Sequence, residues 1–85
     1  MTIQLVFLAR LRERFGVSRE LFDLTPGAAT VSTLLEQLRE RGGAFAEELA
    51  PTRAFRVAVN QDVVSIEHPV KAGDEVAIFP PVTGG

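Results

Sequence analysis

An α+β roll, with one helix lying across one face of a small mixed sheet, is the fold class this sequence predicts. Three observations carry it. The opening segment "TIQLVFLAR" is apolar on both alternating faces, as a strand inside a sheet would be. A single strong helical stripe occupies the middle of the chain. Three short alternating segments separated by turn residues complete it.

Taken in order, Ile3, Leu5 and Phe7 of the first strand point one way, and Val6 and Leu8 the other. "LRERFG" reads as a turn ending at Gly16. "SRELFDL" reads as a second strand, antiparallel to the first, with Phe22 and Leu24 on one face. Pro26 and Gly27 then break the pattern. Thr30 or Ser32 is placed to cap a helix through "VSTLLEQLRER". Val31, Leu34, Leu35 and Leu38 follow the i, i+3, i+4, i+7 spacing of one buried stripe. Arg39 and Arg41 suit the last turn, and Gly42 is placed to close it. "AFAEEL" reads as a short second helical turn. "AFRVAVN" is a third strand, Asn60-Gln61-Asp62 a turn, "VVSI" a fourth strand, "EHPVKAGD" a loop and "EVAIF" the last strand. The resulting order, ββαβββ with a crossover helix, describes a roll of β-grasp type.

One helix covers only one face of such a sheet. Ile3, Leu5, Phe7, Val76 and Ile78 are assigned to the covered face by their alternation. That leaves Leu8 and Phe79 on the open face, with Val63 added from the fourth strand, as an apolar patch suited to a partner.

The composition narrows the function. The chain has 85 residues, enough for one domain, and 46% of them are hydrophobic, enough for a core. With no cysteine, disulfides, thiolate metal sites and a cysteine nucleophile are excluded. A net charge of −2 argues against general nucleic-acid binding, which needs a basic face. The apolar runs are too short to span a bilayer and no charged-then-apolar leader opens the chain, so no membrane partner and a cytoplasmic home are expected. His68, the one histidine, stands before Pro69 in a loop and has no partners at metal-ligand spacing, so no metal is expected. Ser18, Ser32 and Ser65 lack a nucleophile elbow. Asp74 and Glu75 are neighbours that point to opposite faces and make a poor acid–base pair. Arg10, Arg12 and Arg14, interleaved with Glu13, read as a solvated edge.

The informative stretch is "FPPVTGG", residues 79–85. Pro80 and Pro81 stiffen the path away from the last strand. Val82 offers an apolar anchor and Thr83 a hydroxyl. Gly84 and Gly85 lack a Cβ and fit a narrow channel. Residues 1–79 thus form the domain and residues 80–85 an extended arm. The remaining group of chemical interest is the α-carboxylate of Gly85, a poor electrophile until it is activated.

The stretch "VAVNQDVVSIEHPVKAGDEVAIFPPVTGG" resembles the small subunit of molybdopterin synthase, the MoaD-type sulfur carriers. "GDEVAIFPPVTGG" is its most specific part, and "FLARLRE" near the start is similar to the family's first strand and turn. The resemblance covers nearly the whole chain and is weakest across residues 37–55. It implies a ubiquitin-like β-grasp fold. It also implies that an E1-like adenylyltransferase activates Gly85 with ATP, and that a sulfurtransferase system converts the adenylate to a thiocarboxylate. The tail would then enter the large synthase subunit and donate sulfur to cyclic pyranopterin monophosphate, in a heterotetramer. By motif, Leu8, Val63 and Phe79 match the family's docking surface, the same residues that alternation selects. No cofactor is expected on this chain itself, which would be a sulfur-donating cosubstrate whose catalytic groups lie in the partner. The alternatives are a sulfur carrier for thiamine or tRNA thiolation, a ubiquitin-like protein modifier, and an inert interaction module.

Overall fold

The computed structural model describes residues 1–25 and 29–81. Its elements are β1 (Thr2–Phe7), α1 (Ala9–Phe15), β2 (Arg19–Asp23), α2 (Val31–Arg39), α3 (Gly43–Glu48), β3 (Arg56–Val59), β4 (Asp62–Val64) and β5 (Glu75–Phe79). The predicted break at Pro26 and Gly27 lies outside the described residues.

All five strands join one sheet in the order β2-β1-β5-β3-β4. β1 runs parallel to β5 and antiparallel to β2, and β3 is antiparallel to both β5 and β4. The sheet is mixed, as predicted, and β1 is flanked on both sides, which accounts for its apolar residues on both faces. β5 holds the centre. This is the β-grasp roll expected from the sequence.

The assignment of faces holds. Ile3, Leu5, Phe7, Val76 and Ile78 are fully buried, and so are Val31, Leu34, Leu35 and Leu38 of the α2 stripe. Burial of each such side chain contributes roughly 1.5–3 kcal/mol. Thr30 caps α2: its hydroxyl oxygen accepts a hydrogen bond from Thr33 N at 3.2 Å.

Three expectations need correction. The first strand stops at Phe7, and "LRERFG" is no turn but the C-terminal part of α1. Leu11 and Phe15 lie four apart on α1 and turn inward, Leu11 fully buried. Gly16, at φ 74°, ends the helix in the left-handed conformation and its N–H donates to Arg12 O at 3.0 Å. Second, Gly42 does not close α2, which ends at Arg39; it stands at the start of α3 with φ 76°. The order is therefore βαβααβββ instead of ββαβββ. Third, Arg10 and Arg14 are not merely solvated. Both donate to Glu48 of α3, at 2.8 and 2.9 Å, and tie α1 to α3.

The α1–α3 seam is aromatic as well as ionic. Phe7 meets Phe15 edge-on at 4.9 Å, and Phe15 stacks on Phe45 at 4.1 Å. Burial alone would raise the pKa of Glu48, but the hydrogen bond from Arg14 and the charges of Arg10 and Arg53 outweigh it and hold the carboxyl below its ordinary value.

Candidate functional site

Strand register builds the open face residue by residue. Val6 pairs with Ala77, Ala77 with Ala58, and Ala58 with Val63. This row crosses four strands, β1, β5, β3 and β4, with apolar side chains only. Beside it, Leu8 continues β1 in an extended conformation and its N–H donates to Ile78 O at 3.2 Å. That sets Leu8 next to Phe79, whose partner on the other side is Arg56. Leu8 and Val63 are 42% and 64% exposed, whereas Val6, Ala77 and Phe79 are half-buried. Leu8, Val63 and Phe79 therefore share one face, with the small residues Ala58 and Ala77 as its floor. Sequence reasoning named the rim of this surface and, by alternation, Val6 beside Leu8; the same alternation places Ala77 beside Phe79, and Ala58 is the residue it left out.

The tail departs from the end of this face. β5 ends at Phe79, and Pro80 and Pro81 follow, both half-buried. Prolines suit this exit because they lack the N–H that a further ladder bond would require. Val82, Thr83, Gly84 and Gly85, four of the predicted site residues, lie outside the described residues. Pro81 lines an open groove of about 480 Å³ with Leu35, Arg39, Arg53, Phe55 and Ile66 among its walls. A second depression, about 370 Å³, is walled by Arg10, Arg53, Ala54, Pro80 and Pro81.

The opposite end of the sheet is tied down. Asp74 is buried, accepting from Asn60 Nδ2 at 3.0 Å and from Lys71 N at 2.9 Å. Asn60 Oδ1 in turn accepts from Glu75 N at 3.0 Å. Burial would raise the pKa of Asp74, but the Lys71 backbone and Asn60 side-chain hydrogen bonds hold it below its ordinary value. Asp74 is thus a lock on the loop before β5 and is not half of an acid–base pair. His68 is exposed, and its carbonyl accepts from Val31 N at 3.0 Å. Among the described residues there is no group of three or more His, Cys, Asp or Glu able to hold a metal ion, and no helix is long and apolar enough to cross a membrane.

The chemistry available at this site is that of a surface and an arm. An exposed apolar face lies beside the point where the chain leaves the sheet at Pro80 and Pro81.

Known proteins resemble this chain in sequence and in fold. The chain is 41% identical over 86 residues to the molybdopterin synthase sulfur carrier subunit of Escherichia coli (strain K12), covering 98% of this chain and 99% of that one. Among solved structures it is similar to a putative molybdopterin converting factor, subunit 1, from Pyrococcus furiosus, with a TM-score of 0.80 and 32% identity over 96% of this chain and 99% of that one. It is also similar to the small archaeal modifier protein 1 of H. volcanii, with a TM-score of 0.69 and 28% identity over 95% and 98% of the two chains. The ThiS family profile matches residues 5–85, so the chain belongs to the ThiS family.

Proposed function

We propose that this protein is the sulfur carrier subunit of a molybdopterin synthase, working in the cytoplasm, and that the sulfur travels on the C-terminal carbonyl of Gly85. The observation that carries this reading is the end-to-end match, at 41% identity, to a relative of that name. The absence of cysteine fits it, because a carrier that holds sulfur on its own terminal carbonyl needs no thiol.

In this reading an E1-like adenylyltransferase joins the Gly85 carboxylate to the α-phosphate of ATP and releases pyrophosphate. Nucleophilic sulfur supplied by a sulfurtransferase system attacks the acyl carbon and displaces AMP, leaving a thiocarboxylate. The large synthase subunit docks on Leu8, Val63 and Phe79 and receives residues 80–85 in a channel. There the thiocarboxylate sulfur attacks a carbon of cyclic pyranopterin monophosphate and displaces the oxygen on that carbon, leaving a thioester between Gly85 and the pterin side chain. Two such transfers make the dithiolene, and hydrolysis returns Gly85 to a carboxylate. Pro80 and Pro81 keep the arm extended, Val82 and Thr83 anchor it, and Gly84 admits it to the narrow end. The large subunits pair, each carrying one copy of this chain.

The test is reconstitution. Thiocarboxylated protein mixed with a large subunit and cyclic pyranopterin monophosphate should yield molybdopterin, consuming two carriers per product. Failure to form product while the same mixture supports a thiazole or thiolated tRNA would move the protein to another sulfur pathway. The likeness to an archaeal modifier favours one second reading, conjugation of Gly85 to lysine. A ladder of lysine conjugates in place of thiocarboxylate would support it.

A further inference from the structure

The pole from which the tail departs is basic in a chain whose net charge is −2. Arg39, Arg53 and Arg56 line the groove beside Pro81, and Arg10 and Arg53 flank the depression beside Pro80 and Pro81. Arg53 and Arg56 are exposed, and among the described residues neither has a carboxylate within salt-bridge distance. Arg10 is still 57% exposed while bonded to Glu48. Arg39 is oriented by donating to Leu49 O at 3.0 Å. At the other end of the sheet the exposed charges are mixed, with Asp62 and Lys71 both present, so the basic cluster is local to the root of the tail. The groove also has an apolar side: Ile66 is 47% exposed, and Phe55 is half-buried. Arg56 pairs with Phe79 across β3 and β5, so the groove is continuous with the open face.

We propose that this groove is a second docking surface, and that it takes an acidic segment with an apolar tip from the rim of the channel that receives the tail. The inference rests on the function proposed above and adds to it the chemistry of the partner's rim. Guanidinium groups without partners pair well with carboxylates, in fork geometry a lysine does not reproduce. Acidic residues on the rim of such a channel would pair with these arginines at the root of the arm. The same charges steer the arm toward the opening before contact. Ile66 and Phe55 give the segment's apolar tip a place to be covered.

The experiment measures association of the full-length chain with the large synthase subunit at low and high salt, by rapid mixing and calorimetry. Arg53→Gln/Arg56→Gln should weaken binding roughly tenfold at low salt, mainly through the association rate, and should flatten the salt dependence. Arg56→Gln alone should weaken binding part of the way, and Lys71→Gln, the same unit charge change near the opposite pole, should leave both unchanged. Denaturant midpoints of all variants should stay close to that of the unaltered chain, since the altered side chains are exposed and Arg53 gives up only its charge interaction with Glu48. Equal losses in the Lys71 and arginine variants would overturn the proposal, because net charge alone would then act. So would unaltered binding by the arginine double variant while Phe79→Ala still weakens it; in that case the functional reading stands and this surface does not. Self-association of the unaltered chain that the arginine variant abolishes would assign the groove to a second copy instead. No binding by the unaltered chain at either salt would overturn the functional reading and this inference together.

Discussion

The two faces of this sheet are made by the same strands, in alternating residues, and they do opposite things. Phe7 and Ile78 lie under the helices and are fully buried. Leu8 and Phe79, one residue further along each strand, lie on the face that no helix covers. A single step along the chain therefore separates a residue that holds the fold from one available to a partner. Stability and recognition can be altered independently in such a sheet, because substitutions on one face leave the packing of the other intact.

The largest effect expected is on the covered face. Phe7→Ala removes the ring that meets Phe15 and Phe45 and should destabilise the fold by about 3–5 kcal/mol, read from the denaturant midpoint. Phe79→Ala should cost much less in folding and instead weaken binding to the large subunit by roughly tenfold to a hundredfold, measured by calorimetry. If Phe79→Ala unfolds the chain as readily as Phe7→Ala while its folded fraction binds normally, the division between faces fails.

Acid should act on the packed side and its locks. Glu48 and Asp74 have carboxyl groups held below their ordinary values in the fold. The stability they contribute is complete above the unfolded values, about pH 4, and is lost as pH falls through the lower folded values. Glu48→Gln should lower the denaturant midpoint at neutral pH and flatten its decline below about pH 4. A decline as steep as in the unaltered chain would place the acid sensitivity elsewhere.

Two smaller changes sharpen the comparison because neither touches the open face. Thr30→Ala removes the α2 cap and should cost about 1 kcal/mol in thermal or denaturant unfolding. Gln61→Gly should add about 0.5 kcal/mol. Asn60 and Gln61 have φ of 51° and 76° in the two-residue turn between β3 and β4. Glycine accepts that conformation where glutamine is strained, at some cost in unfolded-chain entropy. Binding to the large subunit should be unchanged in both variants.

The sheet and α2 were legible because their signals are periodic and local. Alternation in "TIQLVF" and "EVAIF" assigned the faces, and the leucine stripe assigned the helix. Helix α1 was not legible in the same way. Its seven residues interleave arginines and glutamate, and its inward side consists of Leu11 and Phe15, too short a stripe to outweigh a turn reading. The spacing of four between them, followed by Gly16, was the available signal. Gly42 was misassigned because a glycine after a helix and a glycine before the next one look alike in sequence. The ties from Arg10 and Arg14 to Glu48 join residues more than thirty positions apart, which no local pattern encodes. The basic pole at the tail's root has the same origin: Arg10, Arg39 and the neighbouring pair Arg53 and Arg56 come from three separate segments that meet only in the fold.

The most direct test of the account is the intact mass of the protein after incubation with its activating enzyme, ATP and a sulfur donor. The unaltered chain should gain the mass difference of one oxygen replaced by sulfur, localised to Gly85 by fragmentation. A folded variant carrying one extra residue after Gly85 should gain nothing. Normal sulfur loading of the extended chain, or no loading of the unaltered one, would contradict the account.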